Sequence, residues 1–158
     1  MKILGIDPGY DRLGIAILER KKSASELSFS DCLTTDKKLI FAERLLELGN
    51  ALEKIIIEFR PELLALETLF FAKNKKTAML VAETRGLILY LAAKHHLRVY
   101  EISPASVKLT TTGYGRADKA QIIAMLPKLL KIDKTIKHDD EFDAIAIALT
   151  ALSTVSLN

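Results

Sequence analysis

The sequence predicts an α/β fold with a five-stranded mixed sheet that is flanked by helices. Three strand-like runs come first, with no helical pattern between them, which indicates an antiparallel meander. Two further strand-like runs then alternate with helical patterns. That alternation favours parallel strands joined by right-handed crossovers.

The meander covers the first three predicted strands. Residues 2–7 are an apolar-rich run that Pro8-Gly9 ends, and Pro-Gly is a strong turn signal. Residues 14–19 form a second run, and residues 27–35 a third with partial alternation of apolar and polar side chains. Short connections between these runs make hairpins the economical arrangement.

Helical spacing of apolar residues accounts for most of the remaining chain. Residues 38–59 form the first helical pattern, which Pro61 ends. Ser103 and Pro104 are suited to the cap and the first position of a short helix. The other predicted elements, in chain order, are a strand at 63–67, a helix at 76–95, a strand at 98–103, a helix at 117–130 that Pro127 kinks or ends, and a helix at 139–152.

Length and composition favour one domain over residues 1–158, with 49% hydrophobic and 27% charged residues. The apolar stretches are too short for a membrane span and the start lacks a signal-peptide pattern, so we expect a cytoplasmic protein with no membrane partner. A single cysteine, Cys32, excludes an internal disulfide and a cysteine-rich zinc site. The net charge of +3 does not by itself indicate nucleic acid.

Acidic residues end two of the predicted strands. Asp7 ends the first strand and Glu67 ends the fourth. If these strands are parallel neighbours, both carboxylates lie at the carboxyl edge of the sheet, where such folds place their sites.

The last helix begins with a concentration of negative charge, "DDEFD" at 139–143. Asp140 and Asp143 are three residues apart and therefore share a face of the helix. Asp143 precedes an apolar run, where a carboxylate without a cation is costly. For Asp139 and Glu141 we expect the ordinary role of acids at a helix start, which is to complement free amides and the helix dipole.

Four carboxylates brought together would repel one another unless divalent cations lie between them. Oxygen ligands suit Mg²⁺ or Mn²⁺ rather than zinc. Two such ions can support phosphodiester cleavage. The sequence therefore predicts a centre for two Mg²⁺ ions, with Mn²⁺ as a possible substitute, held by Asp7, Glu67, Asp140 and Asp143.

Several segments together resemble a known family. "ILGIDPG", "LETLFFAKNKKTAMLVAETRG", "VYEISPASVK", "TGYGRADKAQI" and "DDEFDAIAIA" occur in the order typical of RuvC-type Holliday-junction resolvases. The resemblance is collinear and covers nearly the whole chain. It implies a ribonuclease H-like fold and a homodimer that nicks two opposed strands of a four-way DNA junction. It also implies the RuvA–RuvB branch-migration complex as a partner.

The resemblance also assigns roles to residues. The family's four metal-binding carboxylates correspond to Asp7, Glu67, Asp140 and Asp143. Its lysines for DNA phosphates and catalysis correspond to Lys108 and Lys119, and its stacking aromatic corresponds to Phe70.

The basic and aromatic residues have an independent physical meaning. Phe70 and Phe71 precede Lys73, Lys75 and Lys76, and such a combination stacks on unpaired bases while neutralising phosphates. We expect one of the two rings to pack into the core and Phe70 to contact DNA. Tyr114 and Arg116 lie in a glycine-flanked loop that suits a DNA backbone. Arg85-Gly86 allows close helix–helix approach, and the resemblance places the dimer contact near this helix.

One segment departs from the resolvase pattern. Arg12 and Leu13 stand where many resolvases have a threonine before the glycine, and "DPGYDRLGIA" is closer to YqgF-type nucleases that act on ribosomal RNA precursors. A nuclease of the same fold acting on structured RNA is therefore one alternative. A non-catalytic junction-binding module is another.

Overall fold

The computed structural model describes residues 1–21, 24–68 and 75–155, with the backbone alone for Lys75 and Lys76. The described strands are β1 (Lys2–Asp7), β2 (Arg12–Arg20), β3 (Ser25–Thr34), β4 (Leu63–Glu67) and β5 (Arg98–Ile102). The described helices are α1 (Phe41–Phe59), α2 (Lys75–Lys94), α3 (Pro104–Thr112), α4 (Lys119–Leu129) and α5 (Asp139–Val155).

The strands form one mixed sheet in the order β3-β2-β1-β4-β5. β1 pairs antiparallel with β2, and β2 pairs antiparallel with β3, which is the predicted meander. β4 lies parallel to β1, and β5 lies parallel to β4. The predicted α/β class is therefore confirmed, and β1 holds the central position between the two halves of the sheet.

Helix ends follow the predicted signals with small differences. α1 begins at Phe41 rather than at residue 38, and the Glu43 carboxylate accepts a hydrogen bond from the Ile40 amide at 3.3 Å. The Ser103 hydroxyl caps α3 by accepting from the Ser106 amide at 3.1 Å, as predicted. Pro127 does not end its helix, because α4 continues to Leu129 and the Leu130 amide still donates to the Leu126 carbonyl.

Two hydrophobic cores cover the two faces of the sheet. Alternate side chains of β1 serve each core, with Ile3 on the side of α5 and Leu4 on the side of α1 and α2. The first core also contains Val107 of α3 and Leu126 of α4. No helix in the described ranges is long and apolar enough to cross a bilayer.

Two glycines let α5 approach the sheet to backbone contact. A Cβ atom at Gly14 would lie 1.9 Å from the Asp140 carbonyl oxygen, and one at Gly5 would lie 2.5 Å from the Ala144 carbonyl oxygen. Gly14 pairs with Asp7 across β1 and β2. The acidic start of α5 therefore lies beside the carboxyl end of β1.

A buried arginine anchors the turn that follows β1. Arg44 of α1 donates to the Tyr10 carbonyl at 2.9 Å and to the Thr35 hydroxyl at 2.8 Å, and it forms an ion pair with Asp11. The guanidinium also lies over the Tyr10 ring, 5.5 Å from its centroid. These contacts fix the turn that begins immediately after Asp7.

We predict that Gly14→Ala lowers the free energy of unfolding by about 1–3 kcal/mol, because the new methyl group forces α5 away from β2. Urea denaturation measures this loss. The matched control is Gly115→Ala, where the nearest heavy atom to the new methyl is 3.8 Å away. Equal stability of the two variants would contradict the backbone contact.

Candidate active site

The carboxyl ends of β1 and β4 bring two acidic residues to one edge of the sheet. Asp7 is the last residue of β1 and Glu67 the last of β4. Ile6 pairs with Leu66 in the parallel register, so the two acids follow directly on neighbouring strands. This juxtaposition confirms the expectation that both acids lie at the same edge.

The N-terminal part of α5 adds Asp140 and Asp143 to this edge. All three of the other acids act on Asp7. Burial raises the pKa of Asp7 to about 7, and the negative charges of Asp143, Asp140 and Glu67 add to that rise. This electrostatic coupling is consistent with the sequence prediction that the four carboxylates lie close together.

The other two acids of the cavity are similarly destabilised as anions. Burial is the largest cause that raises the pKa of Glu67, and the charge of Asp143 adds to it. Burial also raises the pKa of Asp143, although the hydrogen bond from Lys119 opposes the rise. Burial and repulsion from neighbouring carboxylates therefore disfavour the charged forms of Asp7, Glu67 and Asp143.

A cavity of about 230 Å³ opens at this edge. Its volume is enough for several water molecules, since a water occupies about 30 Å³ in the liquid. Acidic, basic and apolar side chains share the wall. They are Asp7, Glu67, Asp143, Lys108, Lys119, Pro104, Val107, Ile122 and Ile147.

Asp140 lies beside this cavity rather than in its wall. The Arg12 Nε atom is 3.1 Å from Asp140 Oδ2, which makes an ion pair by distance. That contact lacks hydrogen-bond geometry, and the buried Oδ2 has no hydrogen-bond partner within the described part of the chain. Arg12, which the sequence marked only as a departure from the resolvase pattern, is thus the cation beside this carboxylate.

The donor set fits a hard divalent cation. All four acids present oxygen, and burial disfavours the charge on three of them. One buried oxygen has no hydrogen bond from any residue in the described ranges. Within residues 1–21, 24–68 and 75–155, no three His, Cys, Asp or Glu side chains are already arranged to hold an ion. The acids are gathered at one edge without a finished coordination sphere.

Lys119 is the cation that faces the acids from α4. Its Nζ atom lies 2.6 Å from Asp139 Oδ2 and 2.7 Å from Asp143 Oδ2. Partial burial opposes the charged form, but the hydrogen bonds with Asp139 and Asp143 raise the pKa of Lys119 above its ordinary value. Lys119 therefore stays protonated at neutral pH. The same contact lowers the pKa of Asp139 and gives that residue a specific partner at the helix start.

The other predicted DNA-binding residues occupy different parts of the surface. Lys108 lines the cavity from α3, while Tyr114 and Arg116 are exposed in the loop between α3 and α4. Lys75 and Lys76 begin α2, but their side chains lie outside the description, as do Phe70, Phe71 and Lys73 entirely.

Glu141 lies in the first turn of α5, where we expected an acid that complements the helix start, and it also makes specific buried contacts. Its side chain is buried, accepts a hydrogen bond from the Ser30 hydroxyl at 2.6 Å and pairs with Lys134 Nζ at 2.6 Å. Lys134 also donates to the Ser30 carbonyl. This group ties the first turn of α5 to β3. The sequence offered no signal for it, because Ser30 is 111 residues from Glu141.

Sequence reasoning also missed the role of Arg85. Its side chain is buried, whereas Gly86 beside it is exposed with open space around its α-carbon. Most arginines in helices are exposed, so the sequence alone does not mark Arg85 as a buried residue.

We predict that Asp7→Asn stabilises the metal-free protein by a few degrees at about pH 8, with a smaller gain at about pH 4.5. Because the folded-state pKa of Asp7 is about 7 and its ordinary value is 3.8, its contribution to stability is present below about pH 4 and is lost as the pH rises to about 7. Asparagine carries no charge, so the variant avoids this loss.

Thermal unfolding in EDTA at the two pH values measures the effect. The control is Asp133→Asn, which removes an exposed carboxylate that pairs with Lys131. If the wild type were more stable than Asp7→Asn at about pH 8, the result would contradict a buried Asp7 that neighbouring carboxylates repel.

Comparison with known proteins identifies the family. The family model described as "Crossover junction endodeoxyribonuclease RuvC" matches residues 3–151. The protein of that name from Thermosipho melanesiensis is 42% identical over 148 residues, which cover 94% of each chain. Its counterpart from Petrotoga mobilis is 43% identical over 148 residues, which cover 94% of this chain and 91% of the relative.

Solved structures agree with this result. RuvC from T. thermophilus in complex with Holliday junction substrate superposes with a TM-score of 0.92 at 28% identity, covering 99% of this chain and 96% of that one. The yeast mitochondrial Holliday junction resolvase Ydc2 has a TM-score of 0.67 at 14% identity, covering 94% of this chain and 76% of that one, a similarity of fold alone. The predicted ribonuclease H-like fold is thus confirmed. With a family model matched over residues 3–151 and relatives more than 40% identical, this chain belongs to the RuvC family of crossover junction endodeoxyribonucleases.

Proposed function

We propose that this protein resolves Holliday junctions by paired, symmetric nicks in two opposed DNA strands during recombination and repair. The observation that carries the proposal is the cavity in which Asp7, Glu67 and Asp143 face Lys108 and Lys119. Such a cavity offers negative ligands for cations and positive donors for a phosphate. Family membership and the similarity to a RuvC structure with bound Holliday junction substrate support the choice of DNA substrate.

In this proposal Asp7, Glu67, Asp140 and Asp143 hold two Mg²⁺ ions per subunit, with Mn²⁺ as a substitute. The ions supply activation of a water and stabilisation of the departing sugar oxygen. Their positive charge also offsets the burial and the repulsion that together raise the pKa of Asp7. Asp140 Oδ2 is buried and has no hydrogen-bond partner among the described residues, which supports the place of Asp140 among the ligands.

Lys119 and Lys108 hold the scissile phosphate. Lys119 remains charged because Asp139 and Asp143 stabilise its ammonium group, so it offers a fixed positive charge to the phosphate oxygens. Lys108 approaches from α3 on another wall of the cavity. The apolar side chains of Val107, Ile122 and Ile147 limit the water around these charges, which strengthens their attraction for the phosphate.

The DNA backbone and bases are held by residues outside the cavity. Tyr114 has 57% of its surface exposed, and Arg116 is exposed beside it, so both are available for contact. Phe70 stacks on an unpaired base at the centre of the junction, while lysines bind nearby phosphates. Those lysines are Lys73, Lys75 and Lys76.

A homodimer places two such sites on one junction. An exposed stripe along α2 supports it, with Met79 and Tyr90 65% and 62% exposed and Glu83 and Gly86 exposed between them. These residues share one face of the helix. Gly86 leaves open space there, so another helix can approach closely. A cytoplasmic location and cooperation with the RuvA–RuvB branch-migration complex complete the proposal.

A cleavage assay tests this function directly. We predict that a labelled four-way DNA junction is nicked symmetrically in Mg²⁺ and left intact in EDTA. Asp7→Asn should abolish nicking yet keep junction binding within about twofold, because it removes a metal ligand and leaves the DNA surface intact. Cleavage of structured RNA in preference to the junction would favour the RNA nuclease instead. Full binding without any nicking by the wild type would favour a non-catalytic module.

We predict that Lys119→Ala lowers kcat about 100-fold with a much smaller change in junction affinity, because its charge acts on the phosphate undergoing reaction. Single-turnover cleavage and a binding titration separate the two effects. Lys131→Ala is the matched control, since that lysine is 84% exposed and pairs only locally with Asp133 among the described contacts. Equal losses in kcat and affinity would reduce Lys119 to a docking contact.

A further inference from the structure

Arg85 is a buried guanidinium that contacts the strand end carrying Glu67. Its side chain is 8% exposed, and Nη1 donates to the Glu67 carbonyl oxygen at 2.8 Å. Nη2 forms an ion pair with the Glu101 carboxylate of β5. A single side chain from α2 therefore joins the ends of β4 and β5.

The carboxyl end of β4 has few other restraints within the described residues. The Thr68 amide donates to the Ile102 carbonyl at 2.8 Å, and among the described residues that is the last backbone bond from this segment to β5. The parallel pairing between β1 and β4 ends at Leu66, one residue before Glu67. The hydrogen bond from Arg85 is thus a main support for the Glu67 backbone on the side of the sheet opposite α5.

We propose that Arg85 is a positioning residue for Glu67, and that it holds this carboxylate at the metal site through its backbone. The inference rests on the proposed function, in which Glu67 is a metal ligand. Arg85 itself lies on α2, across the sheet from the cavity wall formed by α3, α4 and α5, and it lines no part of the cavity. Glu101 orients the guanidinium, since its carboxylate accepts from the second arm of the fork.

Lysine cannot replace this arrangement. Arg85→Lys keeps the positive charge but loses the planar fork that reaches the Glu67 carbonyl and the Glu101 carboxylate together. We therefore expect the dissociation constant for Mn²⁺ to rise about tenfold, as is usual when the support of a metal ligand is removed. Junction binding in EDTA should change by less than about twofold, because the DNA-binding loops are untouched.

The experiment measures free Mn²⁺ by electron paramagnetic resonance during titration of the full chain, without DNA. Glu101→Ala provides a second variant that removes the orienting carboxylate from a half-exposed position and should weaken Mn²⁺ binding in the same direction. The matched control is Arg20→Lys. Arg20 donates to the Leu152 carbonyl at 2.6 Å, which is also an arginine-to-backbone bond but lies at the far end of α5.

The double variant Arg85→Lys/Glu67→Gln distinguishes positioning from general destabilisation. If Arg85 acts through Glu67, the double variant loses little more Mn²⁺ affinity than Glu67→Gln alone. Additive losses, or equal losses in Arg20→Lys and Arg85→Lys, would overturn the inference. Unchanged Mn²⁺ affinity in Arg85→Lys would do the same, provided that Glu67→Gln weakens binding.

A separate result would identify failure of the proposed function. If Glu67→Gln binds Mn²⁺ as tightly as the wild type, Glu67 is not a ligand, and the assignment of the metal centre falls together with the role of Arg85. Thermal unfolding of each variant accompanies the titrations. If Arg85→Lys has lost its cooperative unfolding transition, Glu101→Ala replaces it, because Glu101→Ala alters the same guanidinium from the exposed end of the ion pair.

Discussion

The packing of α5 against β1 and β2 is the contact on which the rest of the site depends. Gly5 and Gly14 lack the side chains that would hold the helix away, so helix backbone lies directly on strand backbone. Alanines on the inner face of α5, Ala144 and Ala148, keep the separation small. This approach brings Asp140 and Asp143 to the end of the strand that carries Asp7. Larger residues at these positions would preserve the helix and the sheet but separate their charges.

The close approach of like charges lowers the stability of the metal-free fold, and the contacts in the site do not remove this effect. Burial raises the pKa of Asp7, Glu67 and Asp143, and one buried oxygen of Asp140 has no hydrogen bond among the described residues. Lys119 compensates part of the charge, and Arg12 lies beside Asp140. Such residual strain is typical of catalytic centres, where stability is given up for charges arranged in advance of the reaction.

Cationic side chains that line no part of the cavity hold its backbone from outside. Arg44 anchors the turn after β1, Arg85 supports the end of β4, and Lys134 connects Glu141 of α5 with Ser30 of β3. Each of these cations binds a main-chain carbonyl and a carboxylate. The three carbonyls belong to the turn after β1, to the end of β4 and to the edge strand β3, where main-chain groups need partners from outside the sheet. The backbone that carries the acids is therefore restrained on both faces of the sheet.

The sequence by itself determined the elements of the fold and the acids at their ends. Apolar runs, prolines and glycines mark the limits of strands and helices, because turn chemistry is local. Asp7 and Glu67 stand at the ends of two strands, and Asp140 and Asp143 stand near the start of the last helix. Only the tertiary structure decided which charged residues are paired or buried. Glu141 meets Ser30 across 111 residues, and Lys119 meets Asp143 across 24. Burial and pairing of this kind depend on how the sheet and helices come together in space, and a periodic pattern along one chain carries no record of such distances.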